Sequence, residues 1–156
     1  MWNTLTHFFR QTLLPAGEPR EDPRRAIKLA AAALLMETAR ADFAVSAEER
    51  QAAARALQQE FSLNAEETAA LMTLAEDEGK RAPDYFQFTS LLNRTFTPAQ
   101  KIRLIEQLWQ VAYADRRLDK YEDHLIRKIA DLLYVPHRDF IGTKLKVRQA
   151  AGVTEP

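Results

Sequence analysis

TARADFAVSAEERQAAARAL, residues 38–57, and VAYADRRLDKYEDHLIRKIA, residues 111–130, decide the fold when one is laid over the other. At a separation of 73 positions, extended a little on both sides, they pair Leu35 with Leu108, Ala39 with Ala112 and Ala41 with Ala114. The same register pairs Asp42 with Asp115, Val45 with Leu118, Ser46 with Asp119, Glu49 with Glu122, Arg55 with Lys128 and Phe61 with Tyr134. Each stretch reads as an apolar helix ending on small residues and an aspartate, then a bend. A capping box follows, in which a Ser or Asp opens the next helix and a Glu three positions on reaches back to it. Shared small and apolar positions arise in any two helical hairpins. The aspartate in the bend does not, and it aligns as well as the caps do, which favours duplication of one αα-hairpin.

Outward from the two bends, every segment keeps a helical period. Asp22-Pro23 is a start signal for an apolar helix containing Ile27 to Arg40. Asn64-Ala-Glu-Glu67 is another capping box, and its helix is expected to run to about Gly79. A short helix over Asp84 to Arg94 is expected to bring Tyr85, Phe86, Phe88, Leu91 and Leu92 to the core. Thr97-Pro98 opens a helix with Ile102, Ile105, Leu108, Trp109 and Ala112 on one stripe, and its successor carries Leu125, Ile126, Ile129, Leu132 and Leu133. A last helix spans about His137 to Gln149. No stretch alternates with period two, so the expected fold is all-α, a single-domain bundle of about seven to eight helices over residues 23–150 with a short tail, 151–156. Ahead of it, Trp2, Leu5, Phe8, Phe9 and Leu13 predict an amphipathic helix over residues 1–14, and Pro15, Gly17 and Pro19 mark 15–22 as a linker.

Composition narrows the function classes. Without cysteine, the chain has no disulfide, thiolate metal site or nucleophilic thiol. The longest apolar run, Leu29 to Met36, falls well short of the ~20 residues of a membrane span, and the default location is cytoplasmic. The zero net charge hides a bipolar distribution: residues 37–78 carry ten acidic and three basic side chains, residues 79–156 nine and fourteen. Such a field suits solubility, steering of a protein partner by sign, or pairing of two copies as a homodimer. The basic segment Lys144–Arg148 lacks a broad basic face or an aromatic series around it, so nucleic acid is not an expected partner.

VAYADRRLDKYEDHLIRKIADLLYV, residues 111–135, resembles the signature of TerB-like, tellurite-resistance proteins: a helix ending in Ala-Asp, a short turn, an acidic helix start and an apolar Leu-Ile…Ile…Leu-Leu run. TARADFAVSAEE is a degenerate first copy of it. The resemblance covers about residues 24–148 and implies an all-helical bundle, a place in bacterial stress responses, and binding of a divalent cation by the turn carboxylates. The same domain type is found fused to J-domain co-chaperones. Phe43 and Arg116 depart from the glycine that family members place after the turn aspartate, where a Cβ hinders a tight bend around an ion.

The candidate ligands are Asp115, Asp119 and Glu122 in the second copy, and Asp42 and Glu49 in the first. Asp42 and Asp115 stand near helix ends, where unsatisfied carbonyls disfavour negative charge. Two arrangements offset this: the free amides of the next helix, or a cation of calcium, magnesium, manganese or zinc shared with the neighbouring carboxylates. Arg116, Arg117 and Lys120 equally suit ion pairs there. His124 follows the second cluster, yet no His-Glu-x-x-His, Ser-His-Asp or glycine-rich phosphate loop accompanies it. The expectation is a non-enzymatic interaction module. An alternative is a membrane-peripheral, co-chaperone-like adaptor in which residues 1–14 make weak contact with a membrane surface.

Overall fold

The computed structural model describes residues 23–40, 46–82, 84–114, 118 and 120–152, and among these there are seven helices and no strand. They are α1 (Pro23–Ala39), α2 (Ala47–Phe61), α3 (Ala65–Arg81), α4 (Phe86–Thr95), α5 (Pro98–Ala112), α6 (Lys120–Leu132) and α7 (His137–Ala150). The expected helix over 1–14, the linker and residues 153–156 of the tail lie outside the described residues, as do Ala41–Val45, Asp115–Arg117 and Asp119.

Helix starts follow from local chemistry. Three carry reciprocal capping boxes: Ser46 with Glu49 on α2, Asn64 with Glu67 on α3, and Thr97 with Gln100 on α5. In each, the cap side chain accepts the N3 amide while the N3 side chain accepts the cap amide, so two otherwise orphaned donors are satisfied. The distances run from 2.8 to 3.2 Å. Pro98 in the first turn of α5 adds a preset φ where no donor is needed. α4 starts less firmly, with only Asp84 Oδ1 accepting from the Phe86 amide at 2.9 Å.

α2 and α6 end alike, in a left-handed residue followed by a backbone bond that reaches five residues back. Ser62 (φ 55°) precedes Leu63 N–H donating to Gln58 O at 3.3 Å, and Tyr134 (φ 60°) precedes Val135 N–H donating to Ala130 O at 2.9 Å. These are Schellman closures. The equivalence is Ser62 with Tyr134, not the Phe61 with Tyr134 expected from a constant register, because α6 closes one residue earlier than α2.

Burial shows how far the repeat extends. Buried positions 104, 105, 107, 108, 109, 111 and 112 on α5, each less 73, fall on buried positions of α1. Glu122, Ile126, Ile129 and Ala130 on α6 likewise fall on Glu49, Ala53, Ala56 and Leu57 of α2. After the early closure the offset becomes 72, and Phe140, Thr143 and Val147 of α7 match Thr68, Leu71 and Ala75 of α3. The duplicated unit is therefore three helices, α1–α3 and α5–α7, with α4 as the connector.

The two units interlock. α1 packs on α3 as α5 packs on α7, while α2 reaches across to α5 and α6 to α1. All eight residues from Leu29 to Met36 are buried, which a helix tolerates only when surrounded. Trp109, fully buried, packs against Tyr113 and Phe140, with ring centroids 6.1 and 5.2 Å away. One expected core aromatic is misplaced: Phe86 opens α4 and is 52% exposed, whereas Phe88, Leu91 and Leu92 are buried and Tyr85 is half-buried.

Candidate functional site

The first turns of α2 and α6 each place a glutamate at the third helical position, and that position lies on the buried stripe. Glu49 and Glu122 are each 1% exposed, the only acidic side chains besides Glu78 buried to that extent among the described residues. For Glu49 the hydrogen bonding is explicit. Its Oε1 accepts from the Ser46 amide at 3.2 Å, and the Glu49 amide donates to Ser46 Oγ at 3.0 Å. Its Oε2 is fully enclosed and has no hydrogen-bond partner. An enclosed carboxylate oxygen without a donor is costly, because burial removes water and puts nothing in its place. The amides at the start of α2 favour the negative charge but do not reach this oxygen.

Of the five candidate ligands, then, Glu49 and Glu122 are described and occupy equivalent, buried places at the starts of α2 and α6. Asp42, Asp115 and Asp119 lie outside the described residues. Among the described residues no group of three or more His, Asp or Glu side chains is gathered closely enough to hold an ion. The chemistry of the part that is seen fits a cation: Glu49 Oε2 is an enclosed oxygen donor without a hydrogen-bond partner.

His124 does not join this site. Two residues along the helix from buried Glu122, it is exposed, since a two-residue step turns a helix by about 200°. An acid–base pairing of Glu122 with His124 is not formed within α6.

A third buried carboxyl, Glu78, was not singled out from the sequence. It stands in the last turn of α3, 1% exposed, with Gln87 Nε2 donating to its Oε1 at 3.4 Å and its Oε2 without a partner. Burial pushes its carboxyl above the usual range, against the pull of Arg81 and of the Gln87 hydrogen bond. The signal was present, because Glu78 continues the Thr68, Leu71, Ala75 stripe at helical spacing.

The surface groove between α2, α5 and α7, about 530 Å³ and lined by Gln59, Gln100, Arg103, Glu106, Gln110 and Lys146, is a poorer candidate. Its charges are already matched: Arg103 Nε lies 2.7 Å from Glu60, and Lys146 Nζ 3.2 Å from Glu106. No described helix is long and apolar enough to cross a membrane.

Two interlocked three-helix units, each with a buried glutamate in the first turn of its second helix, define an all-helical, internally duplicated domain. The chain belongs to the TerB family: the family model for tellurite resistance protein TerB matches residues 28–145, from the second turn of α1 to the middle of α7. Comparison with curated proteins and with solved structures returned no match.

Proposed function

We propose that this protein is a non-enzymatic TerB-family module of a tellurite-related stress response, and that it binds a divalent cation at its duplicated bends and presents its helical surface to a protein partner. The observation that carries the cation is Glu49: a carboxylate enclosed by the core, with one oxygen spent on the helix cap and the other unmatched. Asp42 in the first bend, and Asp115 and Asp119 with Glu122 in the second, supply the further oxygens that calcium, magnesium or manganese requires. The ion offsets charge that burial would otherwise penalise and ties each bend to the helix that follows it. The partner is supported by the bipolar charge of the chain, acidic over residues 37–78 and basic beyond. Membership of the TerB family supports the link to tellurite resistance.

Thermal melting of the metal-stripped chain tests the cation. An ion present at ten times its dissociation constant adds about 1.4 kcal/mol of stability, which raises Tm by about 3–6 °C for a domain of this size. Calcium, magnesium, manganese and zinc are each added at millimolar concentration, to the native chain and to Glu49→Gln, which keeps an oxygen for the Ser46 amide but loses the charge. The expected result is a shift with at least one metal that Glu49→Gln reduces. No shift with any of the four, or an equal shift in the variant, removes the cation from the reading.

A further inference from the structure

The junction of α3 and α4 holds a buried acid that the cation site does not use. We propose that Glu78 and Gln87 form a proton-operated latch between these helices: the neutral acid keeps α4 seated on the bundle, and ionisation loosens it. Three observations converge on this. Glu78 is enclosed and one of its oxygens has no donor, so the charged form lacks the hydrogen bonds that would compensate its burial. A proton on the carboxyl removes that charge. Gln87, itself buried, donates to the other oxygen from the first turn of α4; this bond favours ionisation less than burial opposes it, and it ties the acid to α4 across the joint. Glu78 also sits in the last turn of α3, where the helix carbonyls oppose a negative charge and favour an O–H that can donate to them.

The surrounding charges pull both ways. On its own helix, Arg81 pulls toward ionisation but is exposed, and burial outweighs it. On α1, Glu37 lies against Gly79, where an added methyl carbon would fall 2.5 Å from its Oε1, and Glu37 is itself paired with Arg40. At the N-cap of α4, Tyr85 is held above the ordinary phenol range by burial first and by Glu37 second, against the pull of Arg40, so it stays neutral across the relevant pH. Lys128 of α6 lies over the Tyr85 ring, 5.7 Å from its centroid. α4 is the connector between the two repeats and starts on the single Asp84 bond rather than a reciprocal capping box, which makes it the element that a local change can release.

The folded state holds this proton more tightly than the open one. Its contribution is complete below the ordinary carboxyl value of 4.5 and is lost as pH rises through the raised value. Amide hydrogen exchange on the full-length chain tests the latch. Protection of the α4 amides from Phe88 to Leu92 is expected to fall by up to about tenfold per pH unit across that window. In Glu78→Gln, which mimics the neutral acid, it is expected to stay level, and this variant should melt with the native chain near pH 4.5 but above it at pH 8. A constant offset between the two proteins at every pH would overturn the proposal. So would a carboxyl carbon NMR titration of the native chain that places Glu78 at or below 4.5, a measurement that does not depend on the variant folding.

Discussion

Tyr134 shows what a single residue contributes when backbone and side chain disagree. It closes α6 in the left-handed region at φ 60°, a conformation that costs a side-chain-bearing residue about 1–2 kcal/mol. Its ring is 80% exposed, so little packing offsets that cost. Tyr134→Gly relieves the strain while giving the unfolded chain more freedom, worth about 0.5–1 kcal/mol the other way. The expected net effect is a stabilisation of about 0.5 kcal/mol in urea denaturation. A loss above ~1 kcal/mol would show the ring to be holding something. Ser62, its counterpart on α2, is a smaller residue in the same conformation. At Gly79 the constraint is milder, because the atom an added methyl would meet is the far end of Glu37, a flexible side chain.

Among the elements, the helix caps set the boundaries. Ser46→Ala, Asn64→Ala and Thr97→Ala each remove one side-chain acceptor and are expected to cost about 1 kcal/mol, readable as lower denaturation midpoints with unchanged slopes. These starts were legible in the sequence because a capping box is a four-residue device whose chemistry is complete within itself. The core stripes of α5 and α6 were legible for a related reason: spacing alone fixes which side of a helix is apolar. α4 was read less well. Three aromatics fall within Tyr85–Phe88, and which of them turns inward depends on how a ten-residue helix docks, which spacing does not specify. Glu49 and Glu122 were legible as candidate ligands but not as buried groups, because burial of a first-turn glutamate is decided by the helix packed over it. Glu78 escaped notice because a lone acid on an apolar stripe carries no motif.

For the whole molecule, the repeat makes one core out of two units. Leu35 and Leu108 are equivalent positions, buried in α1 and α5, which pack against each other. Replacing either by Ala is expected to cost about 2–5 kcal/mol. Because the units interlock, the loss should appear across the entire fold, whichever half is altered. In a Trp2→Phe background, Trp109 becomes the single tryptophan and reports on the second unit alone. Leu35→Ala, in the first unit, is then expected to lower the Trp109 fluorescence midpoint and the far-UV circular dichroism midpoint together. Separate midpoints would show two halves that unfold independently. The duplication was visible in the aligned bends, but its three-helix extent was not. The one-residue slip between offsets of 73 and 72 hides the match of α3 with α7 from any fixed comparison of the sequence with itself.

With Leu29 through Met36 enclosed all round, α1 is an axle inside its hub. Nothing arriving from outside can touch that stretch while the wheel is assembled, so any visitor must read the protein through the rim. Inherited changes along that axle therefore alter how much protein a cell keeps, and leave untouched what the protein greets.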